Sequence, residues 1–196
     1  MRLSLLAVLA LLLTACAAPA VKLPDSPGWS SHSAALQGLD NWQAEGKLAL
    51  RSSEHSESAS LLWTQRNGES LLRLSGPMGL NTTTIRSDGQ RLQVQRGDDI
   101  RDWDISTPEA IARNTGWDLP LQALPHWLKG LPAPQGRIEG LQLEQDRLQL
   151  LTQDGWEVSY EAYGAFGQLV LPTRLRIQRG DTTARVIIRN WNTLPG

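Results

Sequence analysis

The chain has 196 residues, a length that suits one ordinary domain with short appendages. Hydrophobic residues make up 40% of it and charged residues 20%, a balance that excludes an intrinsically disordered chain. Because the formal net charge is only −1 at pH 7, the composition also argues against a nucleic-acid partner.

The first fifteen residues have the pattern of a signal peptide. Arg2 supplies a positive charge, and the apolar run that ends at Leu13 is too short to span a bilayer. The run continues into Leu13-Thr14-Ala15-Cys16, which resembles the lipobox of bacterial lipoproteins and implies cleavage before Cys16 and its lipidation. Ala17, in place of Asp at this position, favours an outer-membrane address. An ordinary signal peptide with a chance cysteine is the alternative.

Residues 16–40 are predicted to form a lipidated tether, because they are rich in Ala, Pro, Ser and Gly and show no apolar period. A short helix is expected near Ala34 to Leu39. Cys16 is the only cysteine, so an internal disulfide is impossible. Residues 41–196 are predicted to form the folded domain.

Apolar and polar residues alternate from Trp42 onward, which predicts about six antiparallel strands with one apolar face. Turns between them are expected at Asn67-Gly68, Asp88-Gly89 and Gly97-Asp98. The period breaks at Thr107-Pro108-Glu109, a typical helix start, and this helix is expected to end at Gly116. A second helix is predicted from Asp118 to Gly130, kinked or restarted at Pro125.

Alternation resumes after these helices and continues to Trp191, with turns at Asp154-Gly155 and Gly180-Asp181. The total of about ten or eleven strands and two short central helices predicts an antiparallel sheet curled around a cavity, which the helices could close. Eight tryptophans accompany a single phenylalanine, and leucine is abundant. A cavity lined by such side chains suits acyl chains better than a polar metabolite.

The chain offers no pattern typical of a catalytic or metal site. His32, His55 and His126 have no Cys, His or carboxylate at metal-ligand spacing, and no nucleophile-elbow or phosphate-binding glycine motif is present. The sequence therefore predicts a binding protein without a cofactor, and not an enzyme.

The chain resembles the LolB family, outer-membrane lipoproteins that receive other lipoproteins from the periplasmic carrier LolA. Besides the lipobox, four groups of stretches carry the resemblance: Leu61-Leu62-Trp63-Thr64-Gln65; Gly76-Pro77-Met78-Gly79; His126-Trp127-Leu128-Lys129-Gly130-Leu131-Pro132; and Trp156 to Tyr163 with Leu171-Pro172 and Asn190-Trp191. They extend over most of the region from Trp42 to Trp191.

The resemblance implies an incomplete antiparallel β-barrel with a helical lid, an apolar cavity for acyl chains, and a protruding apolar residue that delivers lipoproteins into the membrane. Met78 takes the position of that residue, usually Leu, in a membrane-insertion loop of Pro77, Met78, Gly79 and Leu80. Leucines, tryptophans and β-branched residues of the predicted apolar faces are expected to line the cavity: Leu48, Leu50, Leu61, Trp63, Leu72, Leu74, Leu92, Val94, Trp103, Ile111, Leu124, Trp127, Leu128, Trp156 and Val158.

The expected partners are a LolA-like carrier, lipoprotein cargo and the outer membrane, with the domain a monomer facing the periplasm. The sequence is also compatible with two other functions. One is a lipid- or lipoprotein-binding module of outer-membrane assembly without transfer activity. The other is an envelope hydrolase acting on acyl or glycan substrates.

Overall fold

The computed structural model describes residues 26–53, 56–76, 79, 81–107 and 120–195. The described part contains two α-helices and eleven β-strands. In chain order these are α1 (Pro27–Gln37), β1 (Trp42–Arg51), β2 (Ser56–Arg66), β3 (Glu69–Ser75), β4 (Thr83–Ser87), β5 (Arg91–Arg96), β6 (Asp99–Asp104), α2 (Leu124–Lys129), β7 (Ile138–Glu144), β8 (Arg147–Gln153), β9 (Trp156–Phe166), β10 (Leu169–Arg179) and β11 (Thr182–Thr193). Neither helix is long and apolar enough to cross a membrane.

All the strands belong to one open antiparallel sheet with the order β6-β5-β4-β3-β2-β1-β11-β10-β9-β8-β7. Two meanders, β1 to β6 and β7 to β11, meet where the first strand pairs with the last. The sheet ends at β6 on one side and at β7 on the other. The predicted mainly β fold, with ten or eleven antiparallel strands in an incomplete barrel, is confirmed.

The inner face of the sheet carries the core. In β2, for example, Leu61, Trp63 and Gln65 are buried while the residues between them are more exposed. Leu61 and Trp63 belong to the same buried cluster as Trp156 and Val158 of β9, which lies four strands away from β2 in the sheet. Residues of β9 and β11, the strands on either side of β10, also come within 8 Å of each other between Cα atoms, whereas strands two apart in a flat sheet are separated by roughly 10 Å. The sheet therefore curls around its apolar face.

A bulge lies where the two meanders join. The register between β1 and β11 shifts between Glu45 and Gly46. A Cβ added at Gly46 would lie 1.9 Å from the carbonyl oxygen of Ile187, so only glycine permits this approach of the two backbones.

Part of the predicted tether is instead a helix of the folded domain. Helix α1 begins after Ser26, whose Oγ accepts a hydrogen bond from the N–H of Trp29, and Pro27 occupies its first turn. Trp29 and Leu36 are buried in the main core cluster. Together with Leu39, these side chains pack with the domain on the N-terminal side of the boundary predicted at residue 41.

The second predicted helix is shorter than expected. Residues 121–123 form a turn, and α2 begins at Leu124 with Pro125 in its first turn, where a missing N–H is tolerated. The predicted start at Asp118 lies outside the described residues. Gly130 ends α2 in the left-handed conformation, with a φ of 84°, as predicted. The helix predicted from Thr107 to Gly116 lies mostly outside the described residues.

Candidate functional site

The described residues predicted to line the cavity lie on the inner face of the sheet or on α2, at two levels of burial. Side chains packed as core are Leu61, Trp63, Leu92, Trp127, Leu128, Trp156 and Val158. Side chains that remain partly exposed beside this core are Leu48, Leu50, Leu72, Leu74, Val94, Trp103 and Leu124. Ile111 lies outside the described residues.

The partly exposed leucines lie on β1 and β3, on either side of β2. Leu72 of β3 pairs directly with the buried Trp63, and Leu74 pairs with the buried Leu61. Leu48 of β1 lies opposite Ala59 on β2 and Val186 on β11. We call Leu48, Leu50, Leu72 and Leu74 the leucine strip. Its side chains are apolar, packed against the main core cluster, and only partly buried.

Beyond the strip the core divides in two. Leu92 of β5 is buried with Ile85 and Ile105 in a second, smaller cluster. Leu72 and Leu74 contact both this cluster and the main one, so the leucine strip bridges them. Leu72 and Leu74 thus connect the main core with the smaller cluster under β4 to β6.

Helix α2 is held firmly against the sheet by buried hydrogen bonds. The Trp127 indole Nε1 donates to Oε1 of Gln153 over 2.9 Å, and both side chains are fully buried. The same Gln153 oxygen accepts from the N–H of Ala133, and Gln153 Nε2 donates to the carbonyls of Ala133 and Gln135, each over 2.9 Å. The helix and the segment after it are thus fixed to the end of β8.

Two further side chains hold α2 from other directions. The Tyr160 hydroxyl donates to the Trp127 carbonyl over 2.9 Å. Lys129 Nζ donates to the carbonyls of Leu36 and Leu39 over 3.2 and 2.9 Å, at the end of α1. A cation is favoured at the C-terminus of a helix, and burial lowers the pKa of the Lys129 ammonium. These contacts fix α2 to the sheet and to the end of α1.

Gln153 and Lys129 are the residues that sequence reasoning missed. A signal for Gln153 was available, because it lies two residues from Leu151 and therefore on the inner face, where a polar side chain needs partners. The chain offered no comparable signal for Lys129, because only the fold brings it to the carbonyls of Leu36 and Leu39, 93 and 90 residues earlier in the chain.

Two tyrosines, the buried Tyr160 and the partly buried Tyr163, are expected to make the fold sensitive to alkali. Burial raises the pKa of Tyr160 and that of Tyr163, whose hydroxyl donates to the Leu148 carbonyl over 2.6 Å. Tyrosines of the unfolded chain ionise near pH 10, so above that pH the folded state binds more protons and stability falls as pH rises. We expect the free energy of unfolding to fall by about 1.4 kcal/mol per tyrosine by pH 11.

The measurement is urea unfolding at pH 9 and pH 11, compared between the wild type and the Tyr160→Phe/Tyr163→Phe variant so that other groups cancel. The variant should lose less stability than the wild type between the two values. Equal losses would show that these hydroxyls do not stay protonated in the fold.

The predicted membrane-insertion loop joins β3 to β4, and its base is tied. The hydroxyls of Ser75 and Thr82 are 3.0 Å apart, and Thr82 Oγ1 donates to the Gly79 carbonyl over 3.3 Å. Gly79 is exposed, with a φ of 76°. Pro77, Met78 and Leu80 lie outside the described residues, as does Cys16.

A crevice of about 220 Å³ lies beside α2. Its lining mixes apolar residues such as Trp42 and Leu121 with polar ones such as Gln65, His126 and Lys129. Of the described residues predicted to line the acyl-chain cavity, none lines this crevice. Burial, assisted by Lys129, lowers the pKa of His126 and favours its neutral form. Within the described ranges, no group of three or more His, Cys, Asp or Glu side chains could hold a metal ion.

Comparison with known proteins places these features in a family. The family model for the outer membrane lipoprotein LolB matches residues 40–191. The outer-membrane lipoprotein LolB of Stutzerimonas stutzeri is 36% identical over 93% of this chain and 91% of its own. The LolB of Pseudomonas fluorescens is 33% identical over 83% of this chain and 80% of its own.

Solved structures share the fold at much lower identity. A putative outer membrane lipoprotein-sorting protein domain from Vibrio parahaemolyticus has a TM-score of 0.54 at 8% identity, covering 86% of this chain and 92% of its own. A LolA superfamily protein from Nitrosomonas europaea has a TM-score of 0.50 at 11% identity, covering 86% of this chain and 94% of its own. At such identities these structures support the curled-sheet fold alone.

Proposed function

Because this chain belongs to the LolB family of outer-membrane lipoproteins, we propose that it accepts lipoproteins from a LolA-like periplasmic carrier and inserts them into the outer membrane. Their acyl chains would be held in the curled sheet between the two steps. Holding and handing over an acyl chain requires no bond to be made or broken, so the proposal includes no catalytic residue and no cofactor.

The observation that carries the proposal is the leucine strip. The four leucines lie on the inner face of the curled sheet, yet part of the apolar surface of each side chain is left uncovered. A bound acyl chain would supply it, since burying apolar area is worth about 0.8 kcal/mol per CH₂. The buried Trp63 and Trp156 would then belong to the packed core beside the strip and not contact the cargo.

The membrane side of the proposal rests on residues outside the described ranges. Lipidation of Cys16 would hold the mature chain on the outer membrane after removal of residues 1–15. The loop of Pro77, Met78, Gly79 and Leu80 would enter the membrane interface during delivery. The domain would act as a monomer, because one chain supplies the inner face, the loop and the anchor.

Placing amides in the leucine strip should block uptake. We expect the Leu48→Gln/Leu74→Gln variant, with Cys16→Ala to keep it soluble, to take up lipoprotein from a loaded LolA-like carrier at least tenfold less well. The reason is that each amide would face the acyl chain without a hydrogen-bond partner. The measurement is cargo co-purifying with the variant after mixing with loaded carrier.

Leu62→Gln/Leu71→Gln is the matched control, because these leucines lie at partly buried positions on the opposite face of β2 and β3. It should take up cargo normally. If both variants fold and accept cargo equally, the leucine strip does not contact acyl chains.

Transfer separates this function from the two alternatives. Cells depleted of the protein should accumulate lipoprotein still bound to the carrier, whereas loss of a binding module without transfer activity would leave lipoprotein sorting intact. Hydrolysis of a chromogenic ester by the purified protein would instead favour the envelope hydrolase.

A further inference from the structure

The outer face of the sheet carries a concentration of positive charge where the two meanders join. Its cations come from three neighbouring strands around a single exposed isoleucine, Ile187, whose exposed fraction is 42%. We call this surface the basic stripe, and its cations are Lys47 of β1, Arg174 and Arg176 of β10, and Arg185 and Arg189 of β11. The formal net charge of the whole chain is −1, so the stripe is a local feature and not a consequence of composition.

Most of this charge is not neutralised by the protein itself. Glu161 pairs with Arg176 over 3.0 Å, and Glu45 pairs with Arg189 over 3.5 Å. Across the part of the chain that the structure describes, no ion pair joins Lys47, Arg174 or Arg185 to a carboxylate. The stripe therefore has free positive charge for an external anion.

The arrangement suits an extended anionic surface better than one small anion. Arg174, Ile187 and Lys47 are directly paired neighbours on adjacent strands, so their Cα atoms extend over roughly 10 Å at about 4.8 Å per strand. Spread cations on an exposed sheet face do not converge on a point, as they would in a pocket for a single phosphate. An apolar side chain between cations is also typical of surfaces that lie at a membrane interface.

The position of the stripe points to the same partner. The row of paired residues that contains Arg174, Ile187 and Lys47 continues through Ser60 of β2 to Ser75, the last residue of β3. The proposed membrane-insertion loop begins at Pro77, two residues after Ser75. The stripe and the base of this loop therefore lie on one continuous row of the sheet.

We propose that the basic stripe binds the anionic headgroups of a lipid bilayer and so lays this face of the sheet against the membrane next to the insertion loop. The inference rests on the proposed function for its purpose, because it orients the protein for delivery. An acidic protein surface is the competing partner. A bilayer is favoured because its anionic headgroups could bind the cations of the stripe, while the exposed Ile187 at the centre could contact the apolar layer beneath the headgroups.

The test uses the mature chain with Cys16→Ala, so that the lipid anchor does not mask weak binding. Binding is measured by co-sedimentation with phosphatidylcholine vesicles that contain or lack phosphatidylglycerol, at low and at physiological salt. Each Lys or Arg near an anionic membrane contributes roughly a fivefold factor in affinity. Lys47→Gln/Arg174→Gln/Arg185→Gln should therefore bind the anionic vesicles roughly 100-fold more weakly than its parent, with less dependence on salt.

Arg66→Gln/Arg86→Gln/Arg91→Gln is the matched control, since it removes the same charge from exposed outward positions of β2, β4 and β5. It should keep most of the binding. Equal losses in the two triple variants would overturn the proposal, because net charge alone would then explain them. Normal vesicle binding by the stripe variant, with failure to take cargo from the carrier in solution, would overturn it in favour of a protein partner.

Cargo uptake from the carrier is scored separately without vesicles, so the two hypotheses fail independently. A parent protein that binds anionic vesicles through the stripe but accepts no cargo would refute the proposed function and support the membrane contact. A parent that accepts cargo but binds anionic and neutral vesicles equally would refute the membrane contact alone.

Discussion

Gln153→Leu is expected to lower the free energy of unfolding by about 3–5 kcal/mol, because three buried polar groups would lose their hydrogen-bond partner at once. These groups are the Trp127 indole N–H and the N–H and carbonyl of Ala133. Leucine fills a similar volume, so the loss would come from unsatisfied polar groups and not from a cavity. Such a loss is a large share of the roughly 5–15 kcal/mol that stabilises an ordinary domain.

Urea unfolding followed by circular dichroism measures this effect. Gln149→Leu is the control on the same strand, since Gln149 is exposed and should change the stability by less than about 0.5 kcal/mol. A loss below about 1 kcal/mol for Gln153→Leu would mean that α2 is held by apolar packing and not by this network.

Met78→Glu is expected to stop delivery while sparing uptake. In the proposed function Met78 enters the membrane interface, and full burial of such a side chain is worth about 1.5–3 kcal/mol. Its loss should slow insertion of cargo into vesicles roughly 10- to 100-fold, at about 1.4 kcal/mol per decade. Loading from the carrier should be normal, because the leucine strip is unchanged, and loaded protein should accumulate.

Two further variants at this position separate the causes. Met78→Leu should insert cargo like the wild type, because it keeps the size and polarity of the side chain. Met78→Gln should fail nearly as badly as Met78→Glu if apolar contact is what matters. Normal insertion by Met78→Glu would show that Met78 has no part in delivery.

Local patterns predicted the strands well because hairpins are local structures. Turn dipeptides such as Asn67-Gly68 and Asp154-Gly155 both adopt the positive φ angles that tight turns require, and each separates two observed strands. The helix expected near Ala34 to Leu39 overlaps the end of α1, but its start at Pro27 was missed. The apolar pattern is weak there, because α1 has only two buried residues, Trp29 and Leu36, separated by two turns. The pairing of β1 with β11 is a contact between the two ends of the domain, about which a local pattern carries no information.

The inner face could be predicted from alternation, but the burial of each side chain on it could not. Trp63 and Leu72 lie opposite each other on adjacent strands, yet Trp63 is buried and Leu72 is partly exposed. The difference depends on which side chains from strands distant in sequence cover each of the two residues in the curled sheet. Lys129 is a similar case, since a lysine in a short helix is normally solvated and is buried here only because α1 ends beside it.

The adjacency of the first and last strands constrains the order in which the domain can fold. Because the chain is made from its N-terminus onward, β1 to β6 can pair first, as local hairpins. Strand β1 lacks its second neighbour until β11 has been made. Joining the two meanders closes nearly the whole length of the domain into one loop, a contact of high sequence separation that forms slowly. Until then the outer edge of β1 is an unpaired strand, open to pairing with another chain. The newly made protein is therefore most prone to aggregate just before its last twelve-residue strand arrives.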